Sequence, residues 1–132
     1  MEYLIDTHVC LWAISDKDKL SQQAKDILED SSVKILVSQL SLLEIAIKLK
    51  TGKLQEFRVT LPEFIDSIYS TGFEILNVKN EHMVAYSTLS FHPEHRDPFD
   101  RYLLAAAYFE KAPFVTKDDK FQLYTDILKI VW

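Results

Sequence analysis

Four acidic residues of this sequence, Asp6, Glu44, Asp100 and Asp118, share one placement. Each stands just after an apolar run of strand type, or early in a helix that a strand or a tight cap delivers to the same sheet edge. Carboxylates gathered at one edge have a definite chemistry. Hard divalent cations such as Mg2+ take oxygen ligands from a few of them, and a bound cation both activates water and stabilises a phosphate leaving oxygen. Without a cation the cluster is costly. Two like charges ~4 Å apart repel by about 4 kcal/mol at an effective dielectric of 20, so four together imply metal, shared protons or strong solvation. Each acid also has a structural role open to it. Asp6 can cap the first helix, Glu44 can form a solvated ion pair with Lys48, Asp100 favours the positive end of a helix dipole, and Asp118 can cap the turn before Phe121.

The elements that would position these acids are legible in order. Tyr3-Leu4-Ile5 is an unbroken run of β-formers that stops at Asp6, which suits a strand buried on both faces, and Val9, Leu11, Trp12 and Ile14 continue as an apolar helix. Ser21 is placed to cap a helix over Gln22 to Asp30. Lys34 to Val37 reads as a second strand, and Ser38 caps a helix to about Lys50 with Gly52 as its stop. Thr60-Leu61-Pro62-Glu63 is a capping box opening Leu61 to Ser70, and Gly72 ends that helix. Phe73 to Leu76 predicts a third strand and Glu81 to Ser87 a short helix. Asp97-Pro98 opens a helix to about Lys111, Pro113 to Thr116 predicts a fourth strand, and Ile127 to Trp132 a fifth. Strands alternating with helices predict an α/β fold with a central parallel sheet flanked by helices.

Bulk properties bound the function classes. With 132 residues and 48% hydrophobic composition, the chain is expected to form a single domain spanning 1–132, with a core that buries roughly 68% of its unfolded surface. The net charge of −5 is the wrong sign for broad phosphate neutralisation, so any nucleic-acid contact must be local. Arg96, Arg101, Lys117 and Lys120 flank the third and fourth acids and offer such a rim, or simply a solvated surface. His8 either touches a phosphate or faces solvent. His92 and His95 have a spacing that would suit zinc but no third ligand nearby, and are read as solvated loop histidines. The single cysteine, Cys10, sits between Val9 and Leu11 and is read as a packed thiol in a reducing cytosol. The longest apolar run is far short of the ~20 residues of a membrane span, and the start lacks the basic flank of a signal peptide, so a soluble, cytoplasmic protein is expected.

Together these segments resemble the PIN-domain family, specifically the VapC-type toxin ribonucleases of bacterial toxin–antitoxin pairs. The resemblance spans the chain and rests on Tyr3-Leu4-Ile5-Asp6-Thr7-His8, on Ser41 to Lys48 with Gly52-Lys53-Leu54 after it, on His95-Arg96-Asp97-Pro98-Phe99-Asp100-Arg101, and on Val115-Thr116-Lys117-Asp118. It implies a PIN fold with Asp6, Glu44, Asp100 and Asp118 as a catalytic cluster that binds Mg2+ or Mn2+. Asp97 and Asp119 adjoin matched acids and would substitute or assist through water. Thr116 matches a hydroxyl position that orients a neighbouring aspartate. The implied activity is metal-assisted hydrolysis of RNA phosphodiester bonds without a covalent intermediate. A small antitoxin protein as partner and a homodimer are implied in the same way.

Two other aspartate-based classes fit less well. A phospho-acceptor receiver domain wants paired acids after the first strand, where Thr7-His8 stand, and a phosphohydrolase with an aspartyl nucleophile wants a second aspartate where His8 stands. A catalytically silent PIN-like binding or regulatory module is the alternative that shares the fold.

Overall fold

The chain is described from a computed structural model covering residues 1–132. Its first strand, β1 (Glu2–Ile5), lies in the middle of a five-stranded, wholly parallel sheet in the order β3-β2-β1-β4-β5. The other strands are β2 (Lys34–Ser38), β3 (Glu74–Leu76), β4 (Phe114–Val115) and β5 (Ile130–Val131). The helices are α1 (Thr7–Ser15), α2 (Gln22–Glu29), α3 (Gln39–Lys50), α4 (Leu61–Ser70), α5 (Asn80–Thr88) and α6 (Pro98–Glu110).

Strand side chains alternate between the two faces, and a parallel sheet hides both. Ile5, Ile35, Val37, Val115 and Val131 pack on one side with Val9, Ala24, Phe64 and Ile68 from α1, α2 and α4. Leu4, Leu36, Leu76 and Phe114 point the other way onto Leu103, Leu104 and Ala107 of α6, and onto Phe121 and Tyr124. Each such large apolar side chain stabilises the fold by roughly 1.5–3 kcal/mol when fully buried. The alanines of α6 let it lie close against the sheet, with Ala105, Ala106 and Ala107 fully buried.

Caps fix where the helices begin. Asp6, Ser21, Ser38, Thr60, Asp97 and Asp118 each accept a backbone N–H from the turn they precede. Thr60 and Glu63 form the expected reciprocal capping box. Helix α3 ends in a Schellman motif. The Lys53 N–H reaches the Lys48 carbonyl (2.9 Å) and the Gly52 N–H that of Leu49 (3.4 Å), with Gly52 at φ 73°.

The main departures from the sequence reading lie near the carboxyl terminus. The fifth strand is only Ile130–Val131, because the chain after Asp118 first winds into a 3-10 helix, Asp119–Tyr124, that drives Phe121 and Tyr124 into the core. The third strand starts at Glu74, leaving Phe73 buried just ahead of it. No helix is long and apolar enough to cross a membrane.

Cys10 is fully buried in the α1 core, and burial pushes its thiol up to about 12. The native protein is therefore expected to react with a disulfide reagent such as DTNB at least 100-fold more slowly than in 6 M guanidinium chloride. Equal rates in the two conditions would refute the packing of α1.

Candidate active site

The chain runs outward from β1 to β2 and β3, then returns to the other side of β1 as β4, so the strand order reverses between β1 and β4. Connections diverge there, leaving a crevice beyond the carboxyl ends of the strands. Asp6 directly follows β1, and its N–H bonds the Val115 carbonyl of β4 at 2.9 Å. Thr116, Lys117 and Asp118 directly follow β4.

Asp6 is 7% exposed, and both carboxylate oxygens are held. Oδ1 accepts the Thr7 N–H at 2.7 Å, and Oδ2 accepts the Thr116 hydroxyl at 2.7 Å. Thr116 Oγ1 in turn accepts the Asp118 N–H at 3.0 Å, so one hydroxyl joins the acids after β1 and β4. Asp6 thus caps α1 and faces the crevice at once. Burial raises its pKa, opposed by the Thr116 and Thr7 hydrogen bonds and by His8, while Glu44 raises it further.

Helix α3 brings in Glu44. The Thr7 hydroxyl donates to Glu44 Oε1 at 2.9 Å and shares a hydroxyl bond with the buried Ser41 at 2.8 Å, while Lys48 Nζ lies 3.2 Å from Oε2. The pairing with Lys48 read from the sequence is present, but it is not a solvated one. The Glu44 side chain is only 17% exposed.

Helix α6 supplies Asp97 and Asp100. Asp97 caps the helix through the N–H groups of Phe99 and Asp100 (2.8 and 3.2 Å). Asp100, one turn in, has its pKa raised to about 7, first by burial and then by the charges of Asp6, Asp97, Asp118 and Glu44.

Asp6, Glu44, Asp97, Asp100 and Asp118 line one cavity of about 500 Å3, together with His8, Trp12, Lys48 and Lys117. The five carboxylates come from four separate stretches of chain. No three of them close into a ready-made cage around a metal position. The donor set nevertheless suits a hard divalent cation. It is all oxygen, and Asp97 Oδ2, Asp100 Oδ1 and Asp118 Oδ2 have no protein hydrogen-bond partner. Its mutual repulsion is what a cation would relieve.

Several sequence expectations are corrected. His95 is not a solvated loop residue but fully buried, between the rings of Phe121 and Tyr124 at 4.9 and 5.4 Å. Its Nδ1 lies 3.0 Å from the Tyr124 hydroxyl and its Nε2 3.4 Å from Asp100 Oδ2. The Tyr124 hydroxyl also accepts the His92 N–H (3.1 Å), so a chain of polar contacts runs from the 92–96 loop through the His95 ring to Asp100. Desolvation lowers the His95 pKa and so favours the neutral ring. His92 is half-buried against the Tyr124 ring at 5.1 Å. Arg101 and Arg96 do not rim the cavity. Arg101 donates to the carbonyls of His95 and His92 and stacks over Phe91, and Arg96 donates to the Pro93 carbonyl. Their charge fastens the 92–96 loop. Asp119 and Lys120 are exposed and do not line the cavity.

Sequence reasoning took Lys48 only as a partner of Glu44 and Trp12 only as core. The spacing His8–Trp12 and Glu44–Lys48, one helical turn each, was the available signal that they share a face with the acids.

A PIN domain family model matches residues 3–126. No curated protein matches the chain. Among solved structures, the chain is similar to VapBC2 from Rickettsia felis bound to a DNA fragment from its promoter, at 22% identity over 98% of this chain and 97% of that one, TM-score 0.72. It is also similar to a toxin–antitoxin complex from Klebsiella pneumoniae (19%, 98% and 96%, TM-score 0.64) and to VapBC-5 from Mycobacterium tuberculosis (17%, 98% and 97%, TM-score 0.60).

Two outcomes are expected of the site. A carboxyl whose pKa rises from 3.8 unfolded to about 7 folded binds its proton more tightly in the native state. Its contribution is therefore best below pH 4 and is lost as pH climbs to 7. In chelator, Asp100→Asn should raise stability by about 1–3 kcal/mol at pH 8 and change it little at pH 4. Thermal melts at both pH values check this, and identical pH dependence in variant and wild type would refute it. His95→Ala should cost about 2–4 kcal/mol in urea unfolding, whereas a solvated histidine would cost under about 0.5.

Proposed function

The chain belongs to the PIN-domain family, and from that premise we propose that it is a Mg2+- or Mn2+-dependent endoribonuclease, a VapC-type toxin of a toxin–antitoxin pair. One observation carries the reading. Acids from four stretches of chain share a single cavity at the point where the strand order reverses, where burial first and then the charges of the other acids raise the Asp100 pKa to about 7. That is an unfavourable arrangement for the folded protein alone and a favourable one around a cation.

Asp6, Glu44, Asp100 and Asp118 would hold the ion, with Asp97 beside them. A bound divalent cation supplies a lowered pKa for attacking water and charge neutralisation for the phosphate. The chain's own groups do the rest. Thr7 and Thr116 fix Glu44 and Asp6 in place through their hydroxyls. Glu44 or Asp118 orients the attacking water and accepts its proton, and a phosphorus–oxygen bond breaks as the new one forms, with no covalent enzyme intermediate. The leaving oxygen takes its proton from solvent water. Lys48 and Lys117, which border the cavity, face phosphate oxygens not being cleaved.

The partners follow from the same reading. A small antitoxin would neutralise the enzyme by entering the acidic cavity, as suits a fold shared with toxin–antitoxin complexes from Rickettsia felis and Klebsiella pneumoniae. A homodimer in the bacterial cytoplasm completes the proposal.

Asp6→Asn should lower Mn2+-dependent RNA cleavage at least 100-fold while leaving the circular dichroism spectrum unchanged. Mg2+ or Mn2+ should raise the melting temperature of the wild type more than that of the variant. Equal cleavage by both proteins would trace the activity to a contaminant. Expression of the chain alone should arrest growth in an Asp6-dependent way. Cation binding with neither cleavage nor arrest would instead favour a catalytically silent PIN-like module.

A further inference from the structure

The acidic cavity does not end at its own rim. Trp12 and His8 form its wall and are also the wall of a larger groove, about 820 Å3, that runs between α1 and the 52–59 segment after α3. The junction is aromatic and cationic. His8 is exposed and lies 5.8 Å from the Trp12 ring, and Lys117 Nζ sits 5.7 Å over that ring. Trp132 packs against the same indole, ring centroids 6.0 Å apart and tilted by 56°. Beyond it, the groove carries Lys53 and Arg58, both exposed and neither in an ion pair, beside Glu56 and an Asp16–Lys19 pair. Lys117 is unpaired as well. The Schellman turn at Gly52 sets the direction of this segment, so the position of Lys53 follows from the end of the helix that carries Glu44.

A protein of net charge −5 that keeps three unpaired cations around an indole, in a groove that shares His8 and Trp12 with its acidic site, has the features of a single-strand track: local cations for phosphates and a π-face for a base. Duplex RNA would be read by its wide minor groove and backbone, for which a walled groove leading past one indole is the wrong shape. Resting on the ribonuclease reading, we propose that this groove is a binding site for the single-stranded RNA flanking the scissile phosphate, with Trp12 as base-stacking platform and Lys53 and Arg58 as phosphate contacts.

The test compares a 20-nucleotide single strand with a tetranucleotide of the same cleavable core. The wild type should favour the long strand at least tenfold in kcat/KM. In Lys53→Glu/Arg58→Glu, both exposed positions, that preference should fall to near one, mainly through KM. In the Asp6→Asn background, the same pair of substitutions should weaken binding of fluorescein-labelled 20-mer about tenfold or more. It should also reduce the slope of log Kd against log salt by roughly 1.4, the value for two single-strand phosphate contacts. Trp12→Phe should retain most of the affinity and Trp12→Ala lose at least fivefold, with melting curves showing both folded. A cleaving wild type whose length preference and salt slope survive the double substitution would overturn the groove assignment alone. So would a duplex binding as tightly as the single strand, or a double variant that loses only an acidic partner protein. A wild type that neither cleaves nor binds any RNA would overturn the ribonuclease reading itself.

Discussion

The structure depends on how a buried carboxylate is held at the carboxyl end of the central strand. Asp6 is nearly solvent-free, so its charge must be met within the protein, and two donors meet it: the first N–H of its own helix and the hydroxyl that follows β4. The second bond joins residues 110 positions apart in the chain. It forms only when β4 lies beside β1 in register, with Ile5 opposite Val115, so sheet pairing and site assembly are one event. Thr116 then passes the constraint to Asp118, and Thr7 passes it to Glu44 through α3.

What these bonds assemble is a concentration of like charge that the hydrophobic layers must tolerate. The two cores on either side of the sheet are extensive enough to carry the cost. The displaced Asp100 pKa marks where that cost falls, on the acid that burial and four neighbouring charges disfavour together. A site under this strain favours whatever brings positive charge, a cation or a proton, and stability is exchanged for readiness to bind.

The basic residues divide by a similar logic. Arg101 and Arg96 fasten a loop by binding its carbonyls, and the planar guanidinium of Arg101 also stacks on Phe91. In fixing that loop they seat His95, whose ring spans from Tyr124 to Asp100. Lysines border the open side instead. Lys48 and Lys117 line the acidic cavity, and Lys53 lies in the groove adjoining it. Of these three, Lys48 is paired with Glu44, and Lys53 and Lys117 have no ion-pair partner.

The sequence by itself determined the element order, the parallel α/β class and the helix starts, because caps, proline positions and apolar runs act over a few residues and leave local marks. Asp6, Ser21, Ser38, Thr60 and Asp97 cap as their spacing requires. The convergence of Asp6, Glu44, Asp100 and Asp118 was legible only as a shared placement at strand ends and helix starts. Tertiary structure decided the rest. His95 and Arg101 look like members of a polar loop, yet one is buried and the other clamps it, because the 3-10 helix after Asp118 brings Phe121 and Tyr124 beneath that loop. Trp12 looks like core and proves to border both the acidic cavity and the groove beside it, since its surroundings are set by Lys117 and Trp132, more than 100 positions away. Local pattern fixes which way a side chain leaves its helix; only the packing of distant segments decides what it meets there.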